Sequence, residues 1–487
     1  MTSASGLVVL GAGPAGLAAA YSAARRGHRV TVLERSDAVG GLSASFEVAG
    51  IRVDHGSHRL NPDLPPHVLA DLRALLGADL QTRYRTGRLL LGERWVAYPF
   101  KPREIAKALP AAPMAKAAFD ALASRHRATD AAGAGNYADA MRAGFGTTLY
   151  DLVYEPYARK LWGISGQQVD ADQARRKAGA PTAWAALIRS VRSALATESL
   201  AYLYPRRGFG QLCETLAEAA VTAGARVRLG TAVEQITADT HGITVSTARS
   251  EHYGSISTRG AWFTDDRSAP HTAVHAAHVF STIPLPLLAR ITTPAPAFET
   301  IEAGAALRFR ALLLVYAVHE GGRWTNHDVH YIPGGHTPVT RISEPANHRI
   351  NPDDPEDRSV VCFEIPCEIG DETWSADERQ LSTLITETVA HSHLPPMRLA
   401  WIQVKRLRQG YPVHHLGYRQ HLDVLETWAA SVPRLTTFGR QGLFTPDNVH
   451  HALAMGYQAT DALGDTGFDQ QRWGAARESF GAHLVES

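Results

Sequence analysis

Only three cysteines, Cys213, Cys362 and Cys367, stand in a chain of 487 residues. They are too few and too unevenly placed for a disulfide framework, so a reducing compartment and a cytoplasmic location are expected. Cys362 and Cys367 flank Phe363-Glu364-Ile365-Pro366, which reads as a buried strand, so structural thiols are expected rather than a redox or metal pair. No run reaches the roughly 18 uninterrupted apolar residues of a membrane span. The apolar N-terminus lacks a basic leader and is interrupted by Gly11, Gly13 and Gly16, so it is not expected to be a signal peptide. Neither sign of charge dominates: Lys+Arg 49 against Asp+Glu 48 leaves a formal net charge of +1. No global field therefore recruits nucleic acid or an anionic membrane. The histidine pairs His414-His415 and His450-His451 come without a further ligand at metal-site spacing, and no metal is expected.

What the chain does have is a complete βαβ nucleotide-binding unit at its start. The apolar run Leu7-Val8-Val9-Leu10 is followed by Gly11-Ala12-Gly13-Pro14-Ala15-Gly16, an alanine-rich stretch, Gly27, the run Arg29-Val30-Thr31-Val32-Leu33, and Glu34. Gly11 permits the tight turn from strand to helix, Gly13 lets the backbone approach a pyrophosphate, and Gly16 lets helix and strand pack closely. Glu34 lies at the end of the second strand, about 20 residues beyond the glycines, where a carboxylate accepts hydrogen bonds from an adenosine ribose. An acid there favours a free 2′-hydroxyl over a 2′-phosphate. Alone, the glycines would mark only a tight loop, but strand, loop, helix, strand and acid all follow in the required order.

Beyond Glu34 come Arg35, then Gly40-Gly41-Leu42, then Asp54-His55-Gly56-Ser57-His58-Arg59. This continuation resembles the flavoproteins of the glutathione-reductase-like superfamily, which implies FAD, with the second glycine pair passing close to it. The expected fold class is α/β: a Rossmann-like FAD-binding domain with a second, substrate domain of mixed sheet plus a helical part.

At this length two domains are the default. The FAD-binding domain is expected from residues 1–98, 204–284 and 431–487, and the substrate domain from 99–203 (the helical part) and 285–430 (the sheet). Residues 89–98 read as a hairpin, and 250–272 as a polar surface insertion. The strands of the second sheet are expected within 311–318, 360–365 and 399–404. The helix-Gly-strand unit ending at Val233 resembles the return to the FAD domain, where the backbone of Val233 would contact the adenine. Near the end, Gly439-Arg440 precedes Asp447-Asn448 and a helix over 449–463.

Four motifs together resemble the branch containing protoporphyrinogen-oxidase-like and amine-oxidase-like enzymes and UDP-galactopyranose mutase. They are the N-terminal fingerprint, the Asp54 to Arg59 segment, Tyr157-Ala158-Arg159-Lys160-Leu161-Trp162-Gly163, and Gly439-Arg440 with the later Asp447-Asn448-Val449. The resemblance implies that Asn448 and Val449 open a helix whose N-terminus faces the flavin's pyrimidine edge, where negative charge gathers on reduction. It also puts His58 beside the flavin ring, Tyr157 and Trp162 near a substrate, and Arg176 and Arg341 on a diphosphate. On their own, Tyr157 and Trp162 read equally as core aromatics, Arg176 and Arg341 as surface charges, and His58 as a structural histidine. The residues after Arg440 do not reproduce the aromatic run of the mutases, which puts UDP-galactopyranose itself in doubt.

The functional expectation is an FAD-dependent oxidoreductase, with noncovalent FAD, that takes a hydride from a small polar metabolite; a sugar or nucleotide-linked sugar is the candidate class. Candidate catalytic residues are His58, Tyr157, Trp162, Arg176, Arg341 and Arg440. The alternative is a non-redox sugar ring isomerase that uses reduced FAD. No signal speaks to oligomeric state.

Overall fold

The computed structural model describes residues 6–98, 116, 120, 133–178, 201–239, 242–250, 272–464, 467–481 and 483–485. Leu7–Leu10 is buried at all four positions, as a strand covered on both faces must be. It is the centre of a five-stranded parallel sheet ordered Leu435–Thr437, His278–Ser281, Leu7–Leu10, Val30–Leu33, Arg226–Arg228. These strands come from three stretches of chain far apart in sequence. Pro14–Arg25 and Gln211–Thr222 pack against this sheet, and Val449–Asp461 packs on the first of these helices. The alanines of the first helix are buried because it lies between the sheet and the two other helices, where larger side chains would hold the backbones apart.

A second layer is antiparallel, formed by Thr231–Ala238, Ile243–Arg249 and Thr272–Ala276, with a short parallel pairing to Thr292–Thr293. Most of the expected surface insertion, 251–271, lies outside the described residues; the strands on either side of it pair directly, Thr247 opposite Thr272.

The third layer is a seven-stranded mixed sheet ordered Leu399–Val413, Arg308–Glu320, Arg358–Cys367, Arg341–Ser343, Val329–Tyr331, Arg88–Leu91, Arg94–Ala97. The three strands expected from alternating apolar runs are all in it. The hairpin 88–97 is in it too, through Arg88 and Leu89 beside His330 and Tyr331. The hairpin's backbone groups are thus satisfied by this sheet and not by the nucleotide sheet. Cys362 and Cys367 are buried free thiols on one of its strands, and burial pushes the Cys367 thiol up to about 12.

The helical part is described over 133–178; most of 99–132 and 179–200 lie outside the described residues. Tyr137–Phe145 and Glu155–Trp162 pack around a core of Tyr137, Met141, Tyr150 and Trp162. A single π-turn, Tyr150–Tyr154, leads into the second helix. Among the described residues no helix is long and apolar enough to cross a membrane.

Gly456 of the terminal helix marks the closest crossing. A Cβ there would meet the carbonyl oxygen of Ala15 and lie 2.8 Å from Ala19 N. Gly474, in the helix Gln470–Phe480, has nothing within 4 Å of its notional Cβ. Alanine gains up to about 1 kcal/mol of helix propensity over glycine at either position. We expect Gly474→Ala to realise that gain in a denaturant titration. Gly456→Ala should instead lose about 1–3 kcal/mol, since its neighbours are backbone atoms that cannot rotate away.

Candidate active site

The glycine loop between the first strand and helix is shaped by three different constraints. Gly11 has φ +98°, and a Cβ on it would sit 2.5 Å from Thr282 Oγ1. A Cβ on Gly16 would run into the carbonyl of Gly11. Gly13 is the reverse case: nothing lies within 4 Å of its Cβ position, so it faces open space. Gly13 also caps the helix without a side chain, Pro14 is its first residue, and its first turn contains no acid. Amide groups and the positive helix end are thus left facing outward beside Gly13, Pro14 and Ala15, a setting for an anion.

Glu34 is buried next to this loop, accepting from the N–H of Ala12 at 2.8 Å on one carboxylate oxygen and of Ser36 at 2.9 Å on the other. Each oxygen keeps a further lone pair for a ribose hydroxyl. The second glycine pair comes alongside: Gly40 N–H donates to Ala12 O at 2.8 Å, and the Cβ position of Gly41 is 3.6 Å from Gly13 Cα. Arg35 is exposed and Leu42 half-buried. Val233 lies two residues along from Thr231, whose N–H donates to Glu34 O at 2.8 Å. An open glycine face, an uncapped helix end and a buried acid with spare acceptor capacity together fit an adenine dinucleotide, and FAD in particular fits the second glycine pair packed on the first.

Gly439, at φ +79°, has no room for a Cβ, which would fall 2.9 Å from Ala15 Cβ. Arg440 is a brace: its Nη1 donates to the carbonyls of Pro446 (2.8 Å) and Asp447 (3.0 Å), and its Nη2 to Gly410 O at 3.1 Å. It thereby fixes the turn that leads into Asn448, the N-cap of the terminal helix, whose N–H donates to His451 Nδ1 at 3.3 Å. Val449 is the first residue of that helix.

On the other side of the glycine pair, His58 Nε2 lies 3.0 Å from Leu42 O and 3.1 Å from His55 O. Both neighbours are acceptors, so Nε2 carries the proton and Nδ1 is left as the acceptor of a neutral ring. Burial lowers the pKa of His58, and its ring stacks on Phe209 at 5.1 Å.

Arg341 holds Glu364 bidentately, Nε to Oε1 at 2.9 Å and Nη2 to Oε2 at 2.6 Å, and Ser57 N–H adds a third bond to Glu364 at 2.8 Å. The register of the sheet sets this pair, because Arg341 stands opposite Glu364 on adjacent strands. Tyr157, Tyr331 and Tyr411 are within electrostatic reach of the pair, and burial raises the pKa of Tyr157 and Tyr411 despite the opposing cation. Tyr331 also meets Tyr98 at 4.9 Å and accepts from Arg59 at 3.4 Å, while Arg59 pairs with buried Asp328 at 2.9 Å. Arg440 lies over the Tyr411 ring at 5.7 Å, and Arg341 contributes to lowering its pKa, after burial.

Two expected members are placed elsewhere. Trp162 is 3% exposed and packs edge-on to Tyr137 at 5.0 Å inside the helical core. Arg176 spends its donors on Asp172 (2.9 Å), Thr445 Oγ1 (3.1 Å) and Asp447 (3.4 Å), none of them a partner of Arg341. Arg440, by contrast, is close enough to Arg341 for the two cations to interact. Sequence reading passed over Arg59, Glu364, Tyr331 and Tyr411. Glu364 had a usable signal: it is the one acid within an otherwise apolar strand, Val360-Val361-Cys362-Phe363-Glu364-Ile365.

The family model of flavin containing amine oxidoreductases matches residues 14–395. Putrescine oxidase of Kocuria rosea is 42% identical over 84 residues, 17% of this chain and 16% of that protein. Phytoene dehydrogenase of Streptomyces griseus is 41% identical over 83 residues, again 17% and 16%. The curated relatives align over a fifth or less of their own length. Among solved structures, reduced UDP-galactopyranose mutase superposes with TM-score 0.77 at 19% identity, covering 99% of this chain and 98% of that one; this likeness is one of fold.

Gly13→Val should yield protein that purifies colourless and stays so when FAD is added, with the thermal midpoint of the cofactor-free form unchanged. A Cβ at position 13 has no protein atom within 4 Å, so what the added bulk is expected to block is the phosphate. Visible absorption and a melting curve check both halves of this expectation. With the family match running through most of its length and an adenine-dinucleotide cradle at its start, the chain belongs to the flavin-containing amine oxidoreductase family and is an FAD-dependent enzyme.

Proposed function

We propose that this enzyme oxidises a small anionic polar metabolite, with a nucleotide-linked sugar as the candidate class, in a cleft beside Arg341, Arg440, Tyr157, Tyr331 and Tyr411. The carrying observation is the charge balance around Arg341. Glu364 is committed to Arg341 and Asp328 to Arg59, while Arg440 bonds only to carbonyls and has the Asp447 carboxylate, shared with Arg176 and His483, within electrostatic reach. No carboxylate is thus in direct contact with Arg440, and an anionic group of a substrate would supply one.

FAD, held noncovalently since no histidine or cysteine stands in an attachment motif, supplies the hydride acceptor when bound. The glycines at 11, 13, 16, 40 and 41, with Glu34, Val233 and the Asn448-Val449 helix end, would hold it. Arg341 orients the anionic group, because Glu364 fixes two of its three nitrogens and leaves Nη1 for substrate. The tyrosines supply stacking faces and hydroxyls and exclude water. His58 stays a neutral acceptor. We assign the cofactor domain to 1–87, 204–284 and 431–487 and the substrate domain to the rest.

A second reading, a non-redox sugar ring isomerase that needs reduced FAD, is supported by the end-to-end superposition on the mutase fold. Anaerobic mixing with panels of nucleotide sugars and of amines separates the two. Bleaching of the flavin by an anionic sugar supports the oxidase reading. Turnover only after dithionite reduction, with no oxidant consumed, supports the isomerase. Bleaching by amines alone overturns the anionic cleft. Arg341→Ala would strand buried Glu364, so the informative change is Arg341→Lys, which keeps the charge and loses the fork. We expect it to raise KM for the anionic substrate about tenfold with FAD content unchanged; an unaltered KM would remove Arg341 from the site.

A further inference from the structure

The cluster at the mouth of the terminal helix is not used by any of the chemistry above. Asp447 stands just before that helix, His451 lies in its first turn, and His483 comes from the segment after the helix Gln470–Phe480. One potential ligand atom from each of the three lies within 4.8 Å of the others. His483 Nδ1 is 3.1 Å from Asp447 Oδ2, and His451 Nδ1 is 3.9 Å from Asp447 Oδ1, so both rings turn the same edge to the carboxylate. The rings are stacked, centroids 4.0 Å apart at 5°, so one of them must turn out of the stack for both nitrogens to face a single ion.

We propose that Asp447, His451 and His483 form a binding site for one divalent transition-metal ion of the zinc class. Two imidazoles and one carboxylate are the donor set such ions take. Ligand bonds of about 2.0–2.2 Å in a tetrahedral arrangement put neighbouring donor atoms about 3.4 Å apart, between the two separations observed here. A plain hydrogen bond accounts for His483; His451 Nδ1 is too far from Asp447 to share a proton with it and accepts from Asn448 N–H at 3.3 Å instead. The carboxylate is also held the way a ligand is held from behind. Its side chain is wholly buried, Thr445 Oγ1 donates to Oδ1 at 3.1 Å, and Arg176 Nη1 reaches the same oxygen at 3.4 Å, which leaves Oδ2 towards His483. Arg176 offsets the anion only in part. The ion would need to displace the 3.3 Å contact from Asn448 N–H to His451 Nδ1, or use the ring's other nitrogen.

Such an ion would tie the segment around His483 to the turn that Arg440 braces, and so to the helix end proposed to face the flavin. Its occupancy does not depend on the substrate reading. The test uses the FAD-loaded protein, stripped with a chelator, supplied with Zn2+ and desalted. Elemental analysis should find close to one zinc per chain. His483→Gln, whose amide can still donate to Asp447, and His451→Gln should each weaken Zn2+ binding more than about tenfold in competition with a chromophoric chelator. Zn2+ should raise the melting temperature of the wild type and not of His483→Gln. Wild-type protein that retains no zinc, or zinc held equally by all three proteins as an adventitious ion only, overturns the proposal. Should His451→Gln fail to fold, the His483→Gln comparison decides alone.

Discussion

The first helix can be approached closely because it is rich in alanine and carries Gly16 in its first turn, and the rest of the molecule is arranged around that approach. Ala15 meets Gly439 and Gly456, and Gly16 meets the carbonyl of Gly11. Backbone thus lies on backbone at the place where a pyrophosphate has to be gripped. Close packing of this kind transmits position rigidly, because there are no long side chains to adjust. It brings the glycine loop, the strand before Gly439 and the terminal helix into one fixed body, although more than four hundred residues separate the first from the last.

In the seven-stranded sheet the organising element is a buried acid. Glu364 accepts from Arg341 twice and from Ser57 once, linking the seven-stranded sheet to the loop that carries His58. Removing one partner of such a pair costs about 3–5 kcal/mol, so the sheet and the loop are held in register by a contact that is costly to break. Arg341 is therefore at once a structural cation and a candidate ligand-binding one. Arg440 does comparable work on the other side, where its bonds to carbonyls fix the approach to the terminal helix.

How much of this could be read from the chain follows from the range of each interaction. The nucleotide loop was legible because Gly11, Gly16 and Glu34 are constrained by neighbours within one βαβ unit. The strands of the seven-stranded sheet were legible from alternation, but their order was not, and nothing local to the hairpin 88–97 announces which sheet it joins. Arg176 and Trp162 are expected at the substrate only through the resemblance of their motifs to those of the mutases. Distance along a helix, however, decides which face a side chain takes: Trp162 faces Tyr137 and Arg176 faces Asp447. The tyrosines at 331 and 411 belong to strands more than 170 residues beyond Tyr157, and nothing local announces their meeting.

Threading one sheet from stretches so far apart has a bearing on how the protein is made. The leading unit leaves the ribosome early, yet Val449–Asp461, which covers the alanine face of the first helix, follows some four hundred residues later. At about 5–20 residues per second, that apolar face waits roughly 20–90 seconds for its lid. A nascent chain in that interval offers a sticky, half-clad core, and its dependence on chaperones and on early cofactor capture should be set by this delay more than by the stability of the finished fold.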